Sequence, residues 1–302
     1  MNSGEEVPVS EQMQPAYSAA DPVPPMSPPP GPAGVGTAEQ PLPVAAPVPP
    51  RPPRRRRRWP WIVLGTLAGV LAILVAGAAW WLQPQPLLPE ATAALASTAT
   101  VEYRDDGDWL SFVPTTGGAR TGLVFYPGGK VPAAAYAPAA QAIADEGYPV
   151  FIAEMPLNLA VLAPDAADSI MRANPGIERW VLAGHSLGGA MATSYVAGHP
   201  GMIDGLALWA SYPNADLSAV PLAAVSAWGT LDAGAARMGG AESRSDLPPD
   251  ATYLEVQGGN HEQMGWYTGQ PNDPPATISR ADQQAQVVAA TLEVLGVVDR
   301  AP

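Results

Sequence analysis

Residues 1–58 show no hydrophobic period: proline, alanine and small polar residues follow one another, with prolines at 28–30, 49–50 and 52–53. Such a stretch has too little apolar surface to offset the entropy of ordering, and is expected to be disordered with local polyproline II. From Ile62 to Leu82 the pattern is a 21-residue run without a charge. Residues 83–97, proline- then alanine-rich, are expected to form a short stalk. From residue 98 to 302 short apolar runs alternate with stretches at helical spacing, as in an ordinary globular domain of roughly 200 residues, enough for one core.

Within that last part Thr100–Tyr103 and Trp109–Val113 flank Asp105-Asp106-Gly107-Asp108, a hairpin signal. Short buried strands are predicted at Thr121–Tyr126, Val150–Ala153, Trp180–Ala183, Leu206–Ala210, Leu222–Trp228 and Thr252–Val256. Helices are predicted at Ala137–Glu146, Asp165–Ala173, from Gly184 to Val196, and at Ala281–Leu295. Strands alternating with helices imply an α/β fold with a mostly parallel sheet, to which the hairpin adds an antiparallel edge. In such sheets ligands bind beyond the carboxyl ends of the strands, so chemistry is sought in the turns that follow them.

The 21-residue run is long enough, at about 1.5 Å per residue, to cross a hydrocarbon core of about 30 Å. Trp59, Trp61, Trp80 and Trp81 bracket it as interfacial belts do, and residues 59–82 are expected to be a transmembrane helix in a lipid bilayer. Arg54–Arg58 directly precede it, which puts the N-terminus in the cytoplasm and the globular domain outside. A cleaved signal peptide, with Ala76-Gly77-Ala78 as its small-residue site, is the competing reading; the long leader and long run favour an anchor in the cell membrane. Gly65-x-x-x-Gly69 is a weak match to a helix-contact pattern.

Charge and composition then exclude several classes. Beyond residue 82 there are nine basic and twenty-three acidic residues, which leaves no basic face for nucleic acid. There is no cysteine, hence no disulfide or thiolate chemistry, and three scattered histidines offer no metal-ligand spacing. No cofactor is expected.

Trp180–Ala183 leads into Gly184-His185-Ser186-Leu187-Gly188, then Gly189-Ala190-Met191-Ala192. This is the strand, G-x-S-x-G, helix context of a nucleophile elbow, with Ser186 as nucleophile. The turn is so tight that positions two before and two after the serine must lack side chains. The serine also sits at a helix N-terminus, which favours developing negative charge. Its hydroxyl needs a base. His185 adjoins the serine and should point elsewhere, and His199 ends the following helix about 20 Å away. His261 remains, in a loop after the strand Thr252–Val256. Asp232, after the strand Leu222–Trp228, is expected to orient it, with Asp216 as the alternative acid. Backbone N–H groups of Leu187 and Gly129 are expected to form the oxyanion hole, with Lys130 second to Gly129.

The segments Tyr126–Val131, Met155–Ala160, Gly184–Ala192 and Gly259–Gly265 resemble compact bacterial α/β-hydrolases of the family-5 group, related to dienelactone-hydrolase-like proteins. The resemblance spans roughly residues 98–297. It implies an eight-stranded hydrolase sheet and a Ser186–Asp232–His261 triad. Many such enzymes carry His-Gly after the third strand, where this chain has Pro127-Gly128. About eleven residues separate Leu206–Ala210 from Leu222–Trp228, so little or no lid is expected, which suits small or medium soluble esters. Asn158, Leu159, Trp266 and Tyr267 are expected to line the site, with Glu154 and Glu262 near it. The expected activity is hydrolysis of a small-molecule carboxylic ester; the competing class is a non-catalytic binding protein that keeps the fold.

Overall fold

The computed structural model describes residues 58–118 and 120–301. The proline-rich tail, with the arginines at 54–57, lies outside the described residues. Helix α1 (Trp59–Trp81) contains an 18-residue stretch of mean hydropathy 2.4 and has no buried residue. Helix α2 is Pro89–Ala93.

The globular part then runs β1 (Val101–Asp105), β2 (Trp109–Pro114), β3 (Thr121–Tyr126), α3 (Ala137–Asp145), β4 (Val150–Ala153), α4 (Ala166–Ala173), β5 (Arg179–His185) and α5 (Leu187–Gly198). It continues with β6 (Gly205–Trp209), β7 (Ala223–Gly229), α6 (Ala235–Met238), α7 (Ala241–Ser245), β8 (Thr252–Val256) and α8 (Arg280–Arg300). The eight strands form one sheet in the order β1-β2-β4-β3-β5-β6-β7-β8. β2 is antiparallel to both neighbours, and β3 to β8 are parallel. This is an α/β-hydrolase sheet, flanked by helices.

The central strands are apolar without a break because both faces are covered. Their residues nevertheless alternate between two cores. Leu123 and Phe125, Val181 and Ala183, and Ala207 and Trp209 face the core under α3 and α8. Val124 and Tyr126, Leu182, and Leu206 and Leu208 face the core under α4 and α5. The order places β3 beside β5 while their successors leave in opposite directions, β4 to one side and β6 to the other. The loops after β3 and β5 therefore diverge and leave a crevice at the carboxyl edge.

Three local differences from the sequence reading have physical causes. β5 runs on to His185 rather than stopping at Ala183, because Gly184 pairs with Tyr126 and His185 with Trp209. α8 passes Gly296 and ends at Arg300. Val294 and Val298 hold it down, both packed so close to Gly205 that a Cβ there would lie 2.9 Å from each. Finally, residues 83–97 are docked on the domain instead of standing off as a stalk. Gln85 N–H donates to Lys130 O (2.8 Å), Leu88 N–H to Trp266 O (3.0 Å), and Ala91 is fully buried. The hydrophobic residues of this segment are too few to show a period, but enough to bind.

Candidate active site

The crevice holds a cleft of about 380 Å³ lined by Ser186, Leu187, Asp232 and His261 among others. Ser186 lies between β5 and α5 with φ 52° and ψ −119°, a conformation costly for a residue with a side chain. Its surroundings impose it. A Cβ on Gly184 would lie 2.6 Å from the backbone of Gly188 and Gly189, and one on Gly188 would lie 2.1 Å from Tyr126 O. Gly189 is equally confined, 2.5 Å from Ser211 Cβ. The serine backbone is gripped from β6: its N–H donates to Trp209 O (3.0 Å) and its carbonyl accepts from Ser211 Oγ (2.7 Å). The hydroxyl makes no hydrogen bond among the described residues.

His261 follows β8, and its Nδ1 donates to Asp232 Oδ2 at 2.7 Å. Because a carboxylate only accepts, that bond fixes the tautomer and leaves Nε2 with a free lone pair. Asp232 follows β7, is buried, and accepts at its other oxygen from Gly234 N–H (2.6 Å). The alternative acid, Asp216, spends its carboxylate on Ser218 in an exposed turn.

The loop after β3 distinguishes the oxyanion candidates. Gly128 N–H donates to Tyr136 Oη (2.9 Å) and Lys130 N–H to Asn158 O (2.7 Å), so both are committed. Gly129 N–H has no partner among the described residues. It adjoins Leu187: a Cβ on Gly129 would sit 3.4 Å from Leu187 Cδ2. Leu187 N–H opens α5 and is likewise without an acceptor among them.

His185 points away from the serine, as expected, but into a buried place behind His261. Their ring centroids are 4.6 Å apart. Tyr136 Oη accepts from Gly128 N–H (2.9 Å) and is hydrogen-bonded to His185 Nδ1 (2.8 Å). His185 Nε2 is buried without a partner among the described residues. Burial first, and the neighbouring His261 second, hold its pKa well below the ordinary histidine value. This arrangement also accounts for Gly128, since a Cβ there would lie 2.6 Å from His185 Nδ1.

Other expectations are corrected. Asn158, Trp266 and Tyr267 do not line the cleft, whereas Leu159 stands on its oxyanion side, 4.0 Å from where a Gly129 Cβ would lie. Tyr267 is fully buried, and Trp266 ties its backbone N–H to Ala135 O. Ala210, Tyr212, Met238 and Gln270 stand there in their place. Glu154 lies by Asp105 and Asp108 on the β2 side, its pKa raised by burial and by Asp105. Glu262 serves the loop's own structure, accepting from Gly269 and Gln270 N–H and pairing with Arg280 at 3.1 Å.

The residue that sequence reading missed is Asp273. Its two carboxylate oxygens accept from His261 N–H (3.1 Å) and Glu262 N–H (2.7 Å), and it lines the cleft. Burial raises its pKa, against the lowering by those N–H groups. The only trace in the sequence is Asn272-Asp273-Pro274, an ordinary turn signal.

With this geometry in view, the family model of the alpha/beta hydrolase family matches residues 122–285, more than half the chain. The protein belongs to that family and is a hydrolase of the α/β class. A solved structure described as a predicted CIB-like hydrolase from Thermoplasma acidophilum is similar to it at 17% identity and a TM-score of 0.48, covering 64% of this chain and 97% of that one. No curated protein matches the chain.

Proposed function

We propose that the protein is a membrane-anchored serine hydrolase that cleaves a carboxylic ester through an acyl-enzyme. The observation that carries this reading is the strained Ser186 at φ 52° sharing one cleft with a His261–Asp232 pair at 2.7 Å. Ser186 Oγ attacks the ester carbonyl while its proton passes to His261 Nε2. The oxyanion forms against the N–H groups of Leu187 and Gly129. His261 returns the proton to the departing alkoxide as the C–O bond breaks. Water, deprotonated by His261, then attacks the acyl-serine and releases the acid. Asp232 keeps the Nδ1 tautomer and stabilises the imidazolium.

Helix α1 is the anchor in this reading, with the arginines at 54–58 on the cytoplasmic side and the hydrolase domain outside. The test uses the full chain in nanodiscs against p-nitrophenyl butyrate and a fluorophosphonate probe. Wild type is expected to be labelled and active. Ser186→Ala is expected to lose labelling and about a thousandfold or more in kcat. A folded wild type that neither takes the probe nor turns over the ester would leave a binding protein in its place.

A further inference from the structure

The segment between α1 and the domain is short and fixed, and where it is fixed matters. Gln85 is bonded to Lys130, Leu88 to Trp266, Thr268 to Pro86 (2.9 Å), and Leu87 bridges Tyr267. Lys130 follows β3 and residues 266–268 follow β8, so all four ties lie at the carboxyl edge where the cleft opens. Lys130 adjoins Gly129, and Gln270 lines the cleft. The end of α1 is there too, with Lys130 Nζ 4.9 Å from the Trp81 ring centroid. The apolar helix therefore leaves the domain from the rim of the cleft and not from the opposite edge.

The same rim is apolar. In the loop after β4, Leu157, Val161 and Leu162 are 57%, 53% and 52% exposed. Leu159 of that loop reaches back to the oxyanion side, 4.0 Å from where a Gly129 Cβ would lie. Leu157 is both exposed and held at φ 54°, a strained leucine that gains nothing from burial within the domain. The exposed apolar residues elsewhere on the globular part, Met202 before β6 and Val297 near the end of α8, are isolated and lie toward the other edge.

We propose that this rim rests on the outer surface of the bilayer that α1 crosses, and that the cleft takes acyl esters presented at that surface, amphiphiles with their chains in the lipid. The proposal rests on the anchored-hydrolase reading above. The tether holds the rim at high effective concentration against lipid, so a few aliphatic side chains suffice for contact. The net negative charge of the domain offers no attraction to anionic headgroups, which leaves the apolar rim as the contact. This revises the expectation of a freely soluble substrate, although the open cleft remains.

The chain has no cysteine, so single cysteines report cleanly. Val161→Cys and Met202→Cys, each carrying an environment-sensitive fluorophore in the full chain, are placed in phosphatidylcholine nanodiscs containing a spin-labelled lipid. Quenching at residue 161 is expected to exceed that at 202 by about threefold or more, as shallow interfacial burial requires. Equal quenching overturns the proposal. A second arm combines Leu157→Ser, Val161→Ser and Leu162→Ser. Hydrolysis of p-nitrophenyl butyrate should be unchanged, while that of a long-chain fluorogenic ester embedded in the same nanodisc should fall about tenfold. An unchanged ratio of the two rates overturns the assignment of substrate class. If wild type cleaves neither ester, the hydrolase reading fails and quenching still decides the surface. If alkaline carbonate releases the chain from membranes, the anchor fails and the rim contact with it.

Discussion

The serine side and the histidine side of the cleft hold their side chains by opposite means. Ser186 is held chiefly by sterics, with its two backbone bonds to Trp209 O and Ser211 Oγ in support: glycines at 184, 188 and 189 let neighbours approach at distances no Cβ tolerates, and the strain is stored in the serine itself. His261 is held by polar bonds. Asp273 caps its turn, Asp232 fixes its ring, and Gln283 clamps the preceding residue by accepting from Asn260 N–H (3.0 Å) and donating to Asn260 O (2.8 Å). Close packing fails all at once when it is violated. A set of hydrogen bonds fails in parts, and its failure shows first in catalysis.

The sharpest way to break this contrast is Gly188→Ala. The new methyl would lie 2.1 Å from Tyr126 O and 2.4 Å from Pro127 O, backbone atoms that cannot retreat without unpairing β3 from β5. The expected cost is above about 4 kcal/mol, or no soluble protein at all. Urea unfolding beside Gly129→Ala measures it. At 129 the nearest atom would be a side-chain carbon at 3.4 Å, so that variant should fold. A Gly188→Ala chain as stable as wild type would mean that the elbow is not sterically held.

The milder break is Asp273→Ala. Two N–H groups lose their acceptor, and the His261 loop loosens while the elbow stays intact. Reduced kcat, by roughly ten- to a hundredfold, is expected from displacement of the imidazole, with KM for a small ester little changed. Asp273→Asn keeps one accepting oxygen and should recover part of the loss. If Ala and Asn behave alike, Asp273 does not act by holding the turn.

The same contrast decides what could be read from the sequence. The elbow is a local steric problem, so its solution is written locally, in G-x-S-x-G between a strand and a helix. The strands were legible because burial on both faces leaves unbroken apolar runs such as Thr121–Tyr126. The histidine side is assembled from residues 29 apart (Asp232 and His261) and 12 apart (His261 and Asp273). Chain order and elimination could find the first pair. Nothing distinguished Asp273 from other turn aspartates, because its partners are backbone N–H groups that leave no mark in sequence. The docked segment 83–97 was missed for a related reason: its backbone bonds to Lys130 and Trp266 carry no side-chain signature.

His185 belongs to both sides, since it is next to the serine in the chain and against His261 in space, and it yields the smallest expected effect. The fold keeps it neutral by burial. In the unfolded chain it takes a proton near its ordinary value of 6.5, whereas in the folded chain it does so only well below. Above that value neither state binds the proton and stability is unaffected. As pH falls below it, the unfolded state alone binds the proton and stability is lost, by at most about 1.4 kcal/mol per pH unit from this group. Asp273 and Glu154, whose pKa values are raised, act in the opposite sense at lower pH, so wild type alone is not diagnostic. His185→Asn places an acceptor near the Nδ1 position for Tyr136 Oη and cannot titrate. The difference in unfolding free energy between wild type and this variant, measured for residues 83–302 at pH 7.5 and 5.5, should shift by about 1 kcal/mol against wild type at the lower pH. A difference that stays constant would mean that His185 takes its proton in the fold as readily as in the unfolded chain, and that burial does not keep it neutral.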